Sequence, residues 1–229
     1  MKNITMKKLL LLAILPFVIS CNGQEKDNIK SLLEEPLQLN NFSFRTHIST
    51  LLPDKAKSKD FDGYDIKSES LEVKTISIDN ELEYYGNENP VKYVYQQFTY
   101  SYDETLAKFD DYEFNAINFI TTNKGKIMAV NVIIDQVTLN KAQKIIQILD
   151  KKYGASKKTK GFTSEEFAIY TWSLKDRMIR YSIVQADKLN EKDADLYCGR
   201  LYIIDNTKTN DVLGKISSGD FIYLNEEQN

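Results

Sequence analysis

The spacing of hydrophobic residues changes character along the chain. Through much of its length, apolar, β-branched and aromatic residues alternate with polar ones or form short runs, which is typical of β-strands. Asn123-Lys124-Gly125 separates two such stretches and predicts a hairpin turn, because Asn and Gly tolerate positive φ angles. The strands predicted before residue 136 cover residues 71–78, 91–102, 114–122 and 126–135.

Between Thr138 and Tyr153 the hydrophobic period becomes that of a helix. Thr138 is a suitable N-cap, and Gly154 stands where a helix would end. A helix with one apolar face can cover one side of a sheet. The residues on that face are Leu139, Ala142, Ile145, Ile146, Leu149 and Tyr153.

Three further strands are predicted after this helix, and short helical patterns stop before Pro36 and Pro53. The short polar connections favour antiparallel pairing. We therefore expect an α+β fold: an antiparallel sheet with one long amphipathic helix, about 138–153, packed on one face, plus short N-terminal helices. The later strands cover residues 166–174, 178–186 and 196–205.

The start of the chain has the pattern of a signal peptide. Lys2, Lys7 and Lys8 precede an apolar run of about eleven residues, Leu9–Ile19. This run falls within the roughly 7–15 residues of a signal peptide and is shorter than the ~20 that span a bilayer. We predict a signal peptide over 1–20, a segment over 21–40 containing a flexible tether and a short helix, and a single α+β domain over 41–229.

Val18-Ile19-Ser20-Cys21 resembles the lipobox of bacterial lipoproteins. The resemblance implies cleavage before Cys21 and a lipid on its thiol, which would attach the protein to a membrane. Asn22 is not the aspartate that resembles an inner-membrane retention signal, so the outer membrane of the cell envelope is favoured. Glu25-Lys26-Asp27 loosely resembles the export tags of Bacteroidota surface lipoproteins. The alternative is an ordinary secretory signal followed by an incidental cysteine.

Composition excludes several classes of protein. The chain has 229 residues, of which 42% are hydrophobic and 28% charged, so neither a polytopic membrane protein nor a disordered chain is expected. Loss of Lys2, Lys7 and Lys8 with the signal peptide would leave 27 basic against 33 acidic side chains, a net charge of −6. So acidic a protein is not expected to bind nucleic acid.

The chain has few of the side chains that commonly serve in catalysis or metal binding. One histidine, His47, and two cysteines are too few for a Cys/His zinc site, and Cys198 would have no disulfide partner if Cys21 is lipidated. The segment 58–69 shares some spacing with a calcium loop but lacks its first aspartate and its second helix. We expect no cofactor and no metal site, with His47 and Cys198 in structural roles.

Two groups of carboxylates remain candidates for glycoside hydrolysis, which needs a pair of acids in unequal surroundings. Both groups fall in predicted loops beside lysines, which favours solvated side chains over a catalytic pair. Their members are Asp103, Glu104, Asp110, Asp111 and Glu113, then Glu191, Asp193 and Asp195.

Aromatic side chains are the candidates for partner binding. Exposed rings can stack on sugars or anchor a protein partner. The alternative role for the same rings is cross-strand packing within the sheet. The candidates are Tyr93, Tyr95, Tyr100, Tyr102 and Trp172.

Together these features predict a lipid-anchored cell-envelope lipoprotein whose non-catalytic domain binds a protein or glycan partner. One alternative is an envelope polysaccharide hydrolase that uses the loop carboxylates. Another is a toxin-neutralising, immunity-type lipoprotein, for which an acidic surface would suit a basic toxin.

Overall fold

The computed structural model describes residues 29–77, 79, 81–83, 88–98, 103–161, 164–186, 195–216 and 219–225. The predicted signal peptide and lipidation site, Cys21, lie outside these residues. So do the candidate aromatics Tyr100 and Tyr102 and the carboxylates Glu191 and Asp193.

Strands dominate this described part of the chain. They are β1 (Leu37–Gln38), β2 (Gly63–Ile66), β3 (Glu69–Ile76), β4 (Leu82–Glu83), β5 (Lys92–Gln97), β6 (Ala107–Phe109), β7 (Tyr112–Phe114), β8 (Ala116–Thr122), β9 (Ile127–Val137), β10 (Lys157–Gly161), β11 (Ser164–Ser173), β12 (Arg177–Gln185) and β13 (Tyr197–Asp205). The α-helices are α1 (Ile48–Leu51), α2 (Leu139–Tyr153) and α3 (Thr209–Val212). Turns of 3-10 helix cover Leu39–Asn41, Asp54–Ala56, Asn206–Lys208 and Gly219–Leu224.

One antiparallel sheet of ten strands organises the molecule. Its order is β10-β11-β12-β13-β9-β8-β5-β3-β2, with β4 paired to β3. A second sheet has the order β1-β6-β7, in which β1 runs parallel to β6. The predicted α+β class, with an antiparallel sheet and one long helix, is confirmed.

Helix α2 is tied to the sheet at both ends. At its start, the Thr138 side chain accepts a hydrogen bond from the Lys141 amide at 3.3 Å, and the Tyr181 hydroxyl donates to the Ala142 carbonyl at 2.7 Å. At its end, Trp172 Nε1 donates to Asp150 Oδ1 at 3.0 Å. Of the predicted apolar face, Ala142, Ile145 and Leu149 are buried against the sheet and Ile146 and Tyr153 are partly buried, whereas Leu139 in the first turn is 38% exposed.

Both faces of the sheet are covered. Helix α2, the small sheet and the N-terminal segment pack on the front face and enclose the main core. The C-terminal segment, from Asn206 onward, packs on the back face around Tyr202 and Phe221. Within the described chain, no helix combines the length and the apolar character needed to cross a bilayer.

The folded part begins earlier than the predicted boundary at residue 41. Leu32, Leu37 and Leu39 are almost fully buried in the main core. Residues 32–34 form a turn, not the short helix that the spacing predicts. The part of the predicted 21–40 segment from Leu32 onward therefore belongs to the domain, because removing its leucines from water stabilises the fold.

A buried polar network attaches the C-terminal segment to the back face. Asn118 Nδ2 donates to Asn131 Oδ1 at 2.8 Å and to Asp220 Oδ2 at 3.2 Å. Arg200 Nε donates to Asp220 Oδ1 at 3.3 Å, and its guanidinium lies 4.1 Å from the centre of the Tyr223 ring. Asp220 thus compensates the buried charge of Arg200, which would otherwise be costly.

Candidate functional site

An open groove of about 740 Å³ lies where four separate parts of the chain meet at one end of the main sheet. The loop before α1, the turn between β8 and β9, the turn between β11 and β12, and the end of β13 with the residues after it form its walls. The lining residues are Ser43, Phe44, Arg45, Lys126, Lys175, Asp176, Arg177, Asp205, Asn206 and Thr207.

The turn between β11 and β12 is held by the residue that follows β13. Asn206 Nδ2 donates to the Leu174 carbonyl at 2.6 Å and to the Lys175 carbonyl at 3.2 Å. The Asn206 amide donates to the Asp176 carbonyl at 3.2 Å. These three bonds order the turn, so the charged side chains of Lys175 and Asp176 start from a defined backbone.

Arg177 joins this turn to the loop before α1. Its Nη1 donates to the Phe42 carbonyl at 2.9 Å, and its guanidinium lies 5.8 Å from the centre of the half-buried Phe44 ring. Its Nη2 and Nε donate to Asp176 Oδ2 at 2.7 and 3.1 Å, and the Arg177 hydrogen bond holds the pKa of Asp176 below its ordinary value. Arg177 and Phe44 therefore place a positively charged group beside an aromatic ring in the lining of the groove.

The second carboxylate of the groove, Asp205, also has hydrogen-bonding and ionic partners. Its Oδ1 accepts from the Thr207 amide at 2.9 Å and from the Thr207 hydroxyl at 2.8 Å, while Lys126 Nζ lies 3.2 Å from its Oδ2. Burial by itself would raise the pKa of Asp205, but these bonds outweigh burial and lower it. Both carboxylates are thus ionised at neutral pH and already paired.

The groove carries more positive than negative charge. Its four cationic side chains face only two carboxylates, although the whole chain has a net charge of −3. Arg45 and Lys175 are exposed, and neither side chain has a hydrogen-bonding or ionic partner among the described residues. They are the groups of this groove that a negatively charged partner could bind without displacing an existing ion pair.

The described aromatic candidates from the sequence, Tyr93, Tyr95 and Trp172, lie elsewhere, on strands of the main sheet. Tyr95 is 7% exposed, lies 6.0 Å from the Tyr64 ring, and burial raises its pKa to about 12. Trp172 is 3% exposed and is bonded to α2, while Tyr93 is half-buried against the main core. Tyr95 and Trp172 therefore pack within the fold, which is the alternative to partner binding that the sequence left open. Beyond them, Phe98 is exposed at 59%, with Lys74 Nζ 5.5 Å from its ring.

The described carboxylates of the first acidic group lie in or beside the β6–β7 hairpin, and three of them, Glu104, Asp110 and Glu113, contact polar or cationic neighbours. Glu113 accepts a hydrogen bond from Lys108 at 2.7 Å, which lowers its pKa. Asp110 is hydrogen-bonded to Asn40, and Glu104 lies 3.5 Å from Lys67. A general acid needs a raised pKa, so the shift at Glu113 is opposite to what hydrolysis requires.

His47 and Cys198 have structural environments. His47 Nδ1 accepts from the Ser49 amide at 3.2 Å and caps α1, while its Nε2 bonds the Lys124 carbonyl at 2.8 Å. Cys198 is buried on the back face, and burial raises the pKa of its thiol well above the ordinary value. A thiol in that state is a poor nucleophile at neutral pH.

The segment with calcium-loop spacing folds as the hairpin of β2 and β3. Its last residue, Glu69, is buried and accepts a hydrogen bond from Gln97 Nε2 at 2.7 Å. Across the described residues, no three His, Cys, Asp or Glu side chains are grouped closely enough to hold a metal ion.

Sequence reasoning did not find the groove. In the sequence, Lys175-Asp176-Arg177 is one of the short polar connections between predicted strands, and Phe44 is an apolar residue of the helical pattern that stops before Pro53. Phe42, the neighbour that accepts from Arg177, is 135 positions away from it in the chain. No local spacing indicates that these segments meet.

Comparison with known proteins gives no relative from which a function could be transferred: no family model, no curated protein and no solved structure matches this chain.

Proposed function

We propose that this chain is a lipid-anchored protein of the cell envelope whose α+β domain binds a protein partner without catalysing a reaction. The groove of Phe44, Arg45, Lys175 and Arg177 is the proposed contact surface. The single observation that carries this proposal is an ordered groove that has an excess of positive charge on an acidic protein.

The chemistry of the groove suits a protein interface. Arginine and aromatic side chains are enriched in such interfaces, and arginine often supplies much of the binding energy. Arg177 is already oriented by the Phe42 carbonyl and by Asp176, so little conformational freedom is lost when a partner contacts it. Arg45 and Lys175 can then pair with carboxylates of the partner. We therefore expect the partner to present an acidic segment.

Two observations favour binding over hydrolysis. Beside the β6–β7 hairpin, Glu113, Asp110 and Glu104 have hydrogen-bonding or ionic partners, and the Lys108 hydrogen bond lowers the pKa of Glu113. The groove itself contains carboxylates whose pKa values are lowered, not raised. Neither arrangement supplies the protonated acid that glycoside hydrolysis uses.

Charge reversal in the groove tests this proposal. The full chain would be expressed with an affinity tag in cells that contain the envelope, cross-linked, and recovered for quantitative mass spectrometry. We expect Arg45→Glu together with Lys175→Glu to reduce recovery of one specific envelope protein at least ten-fold, because two attractive charge pairs become repulsive. The matched control, Lys144→Glu with Lys151→Glu on the exposed side of α2, makes the same change in net charge and should retain the partner.

Equal loss of the partner in both double variants would contradict the proposal, since it would show a dependence on net charge alone. If the unaltered chain binds purified envelope polysaccharide and only the groove variant fails to bind it, the partner is an acidic or neutral glycan and not a protein. Turnover of such a glycan would replace binding with catalysis.

A further inference from the structure

A second pocket, separate from the groove, lies on the other side of the β8–β9 turn. It has a volume of about 420 Å³, which is within the range of sites for small molecules. The start of β5, the end of β8, the turn after it and the C-terminal segment form its walls. Its lining residues are Val91, Lys92, Thr122, Asn123, Met128, Lys208, Asn210, Asp211 and Lys215.

Three lysines surround this pocket, but only one carboxylate does. Lys208 Nζ and Asp211 Oδ2 are 3.3 Å apart, so that carboxylate is already paired. Lys215 is exposed and has no ionic partner among the described residues. Among the residues that line the pocket, positively charged side chains therefore outnumber carboxylates by two.

Lys92 is the unusual member of the three because it is only 6% exposed. It is paired with Thr122 in the β5–β8 ladder, so the strand register fixes its backbone at the pocket. Burial lowers the pKa of Lys92 most, and the charges of Lys215 and Lys208 lower it further, while Asp211 raises it. Lys92 is therefore within the electrostatic influence of Asp211 and of both other lysines, and an anion bound in the pocket would be attracted by all three ammonium groups.

The remaining walls indicate what kind of anion fits. Asn123 and Asn210 are exposed and can donate hydrogen bonds from their amides, whereas Val91 and Met128 provide an apolar side. All the cations are lysines, which bind phosphate as point charges, and the charge of about −2 on a phosphate monoester matches their excess over the single lining carboxylate. We infer that this pocket binds the phosphate monoester group of a small molecule, with Lys92, Lys208 and Lys215 around the phosphate.

This inference does not depend on the proposed function, because Arg45 and Lys175 of the groove do not line the pocket. The source of the phosphate monoester could be a soluble metabolite or a lipid headgroup such as that of phosphatidic acid. Both sources present the same chemistry to the lysines, and experiment can separate them.

The test is titration calorimetry of the full chain in phosphate-free buffer, with phenyl phosphate as the soluble probe. We expect saturable binding that Lys215→Met weakens at least ten-fold, because a charge-assisted bond is lost. Lys92→Met should do the same, and Lys215→Met keeps the test valid if the buried substitution prevents folding. Lys144→Met on α2 is the control and should bind like the unaltered chain.

A second arm measures sedimentation of the full chain carrying Cys21→Ser with vesicles of neutral lipid, with and without phosphatidic acid. Binding of either probe that Lys215→Met abolishes supports the site. Binding of phenyl phosphate but not of phosphatidic acid vesicles would indicate a soluble ligand. Binding of the vesicles but not of phenyl phosphate would indicate a lipid headgroup. Absence of both, equal weakening by Lys144→Met, or succinate binding as tightly as phenyl phosphate would overturn the inference.

Discussion

Asp205 shows how one side chain can serve both the fold and the candidate site. It ends β13, caps the following 3-10 turn through Thr207, and contacts Lys126 across the groove. Its side chain is 8% exposed, so these contacts are shielded from water. Because the bonds favour the ionised form, the folded-state pKa is lower than the ordinary Asp value of about 3.9.

This pKa shift predicts a loss of stability in acid. The contribution of Asp205 is fully present above the ordinary pKa and is lost as the pH falls from about 4 through the lower folded-state value. We expect Asp205→Asn to lower the free energy of unfolding by roughly 1–3 kcal/mol at pH 7 and by less at pH 3. Urea denaturation of both proteins at the two pH values measures this difference. An Asp205→Asn effect that is the same at both pH values would contradict the assignment.

At the scale of elements, the hydrogen bonds that attach helix α2 to the sheet are made at its two ends. Trp172 on β11 donates to Asp150 Oδ1 at 3.0 Å and to the Gly154 carbonyl at 3.1 Å, so one ring holds the last turn and the residue that ends the helix. Gly154 has φ +89°, which allows the chain to leave the helix at this point.

We therefore expect Trp172→Phe to destabilise the protein by roughly 1–3 kcal/mol, since both hydrogen bonds of the buried indole are lost and the smaller ring leaves part of its space empty. Circular dichroism at increasing urea concentration is the appropriate measurement, because the substitution removes the single tryptophan. Tyr170→Phe on the same strand is the control: the Tyr170 hydroxyl has no hydrogen-bonding partner among the described residues, so little change is expected. Equal destabilisation by both substitutions would refute the anchoring role of Trp172.

Elements with a strong local period were predictable, and short or polar ones were not. The spacing placed α2 and the strands β8, β9, β11, β12 and β13 to within a few residues. It did not indicate β10, whose sequence Lys-Lys-Thr-Lys-Gly has no apolar side chain. That strand lies at the edge of the sheet, where lysines discourage pairing with another chain and no apolar face is required.

The hairpin of β6 and β7 was also missed, for a different reason. Its three-residue strands are too short to establish a period, and acidic residues surround them. Phe109 and Phe114 are nevertheless buried, because this hairpin packs beneath α2 with the front face of the main sheet. Burial here is decided by long-range packing.

At the scale of the molecule, lipid attachment at Cys21 remains a prediction from the lipobox resemblance. We expect the unaltered chain to incorporate radioactive palmitate and to sediment with membranes, and Cys21→Ser to lose the label and enter the soluble fraction. Cys198→Ala is the control, because Cys198 is buried and should not be acylated. A Cys21→Ser protein that stays fully membrane-bound, with no label in either form, would exclude lipidation.

The sequence by itself determined the fold class and the long helix, because each depends on a pattern of neighbouring residues, and it alone supplies the prediction that the first twenty-one residues carry a signal peptide and a lipidation site. Only the tertiary structure decided which charged side chains meet. Phe44 contacts Arg177 because strand order and register bring the loop before α1 to the β11–β12 turn. The same reason placed Lys92 beside Lys208 and Lys215, since contacts between distant strands leave no trace in local spacing.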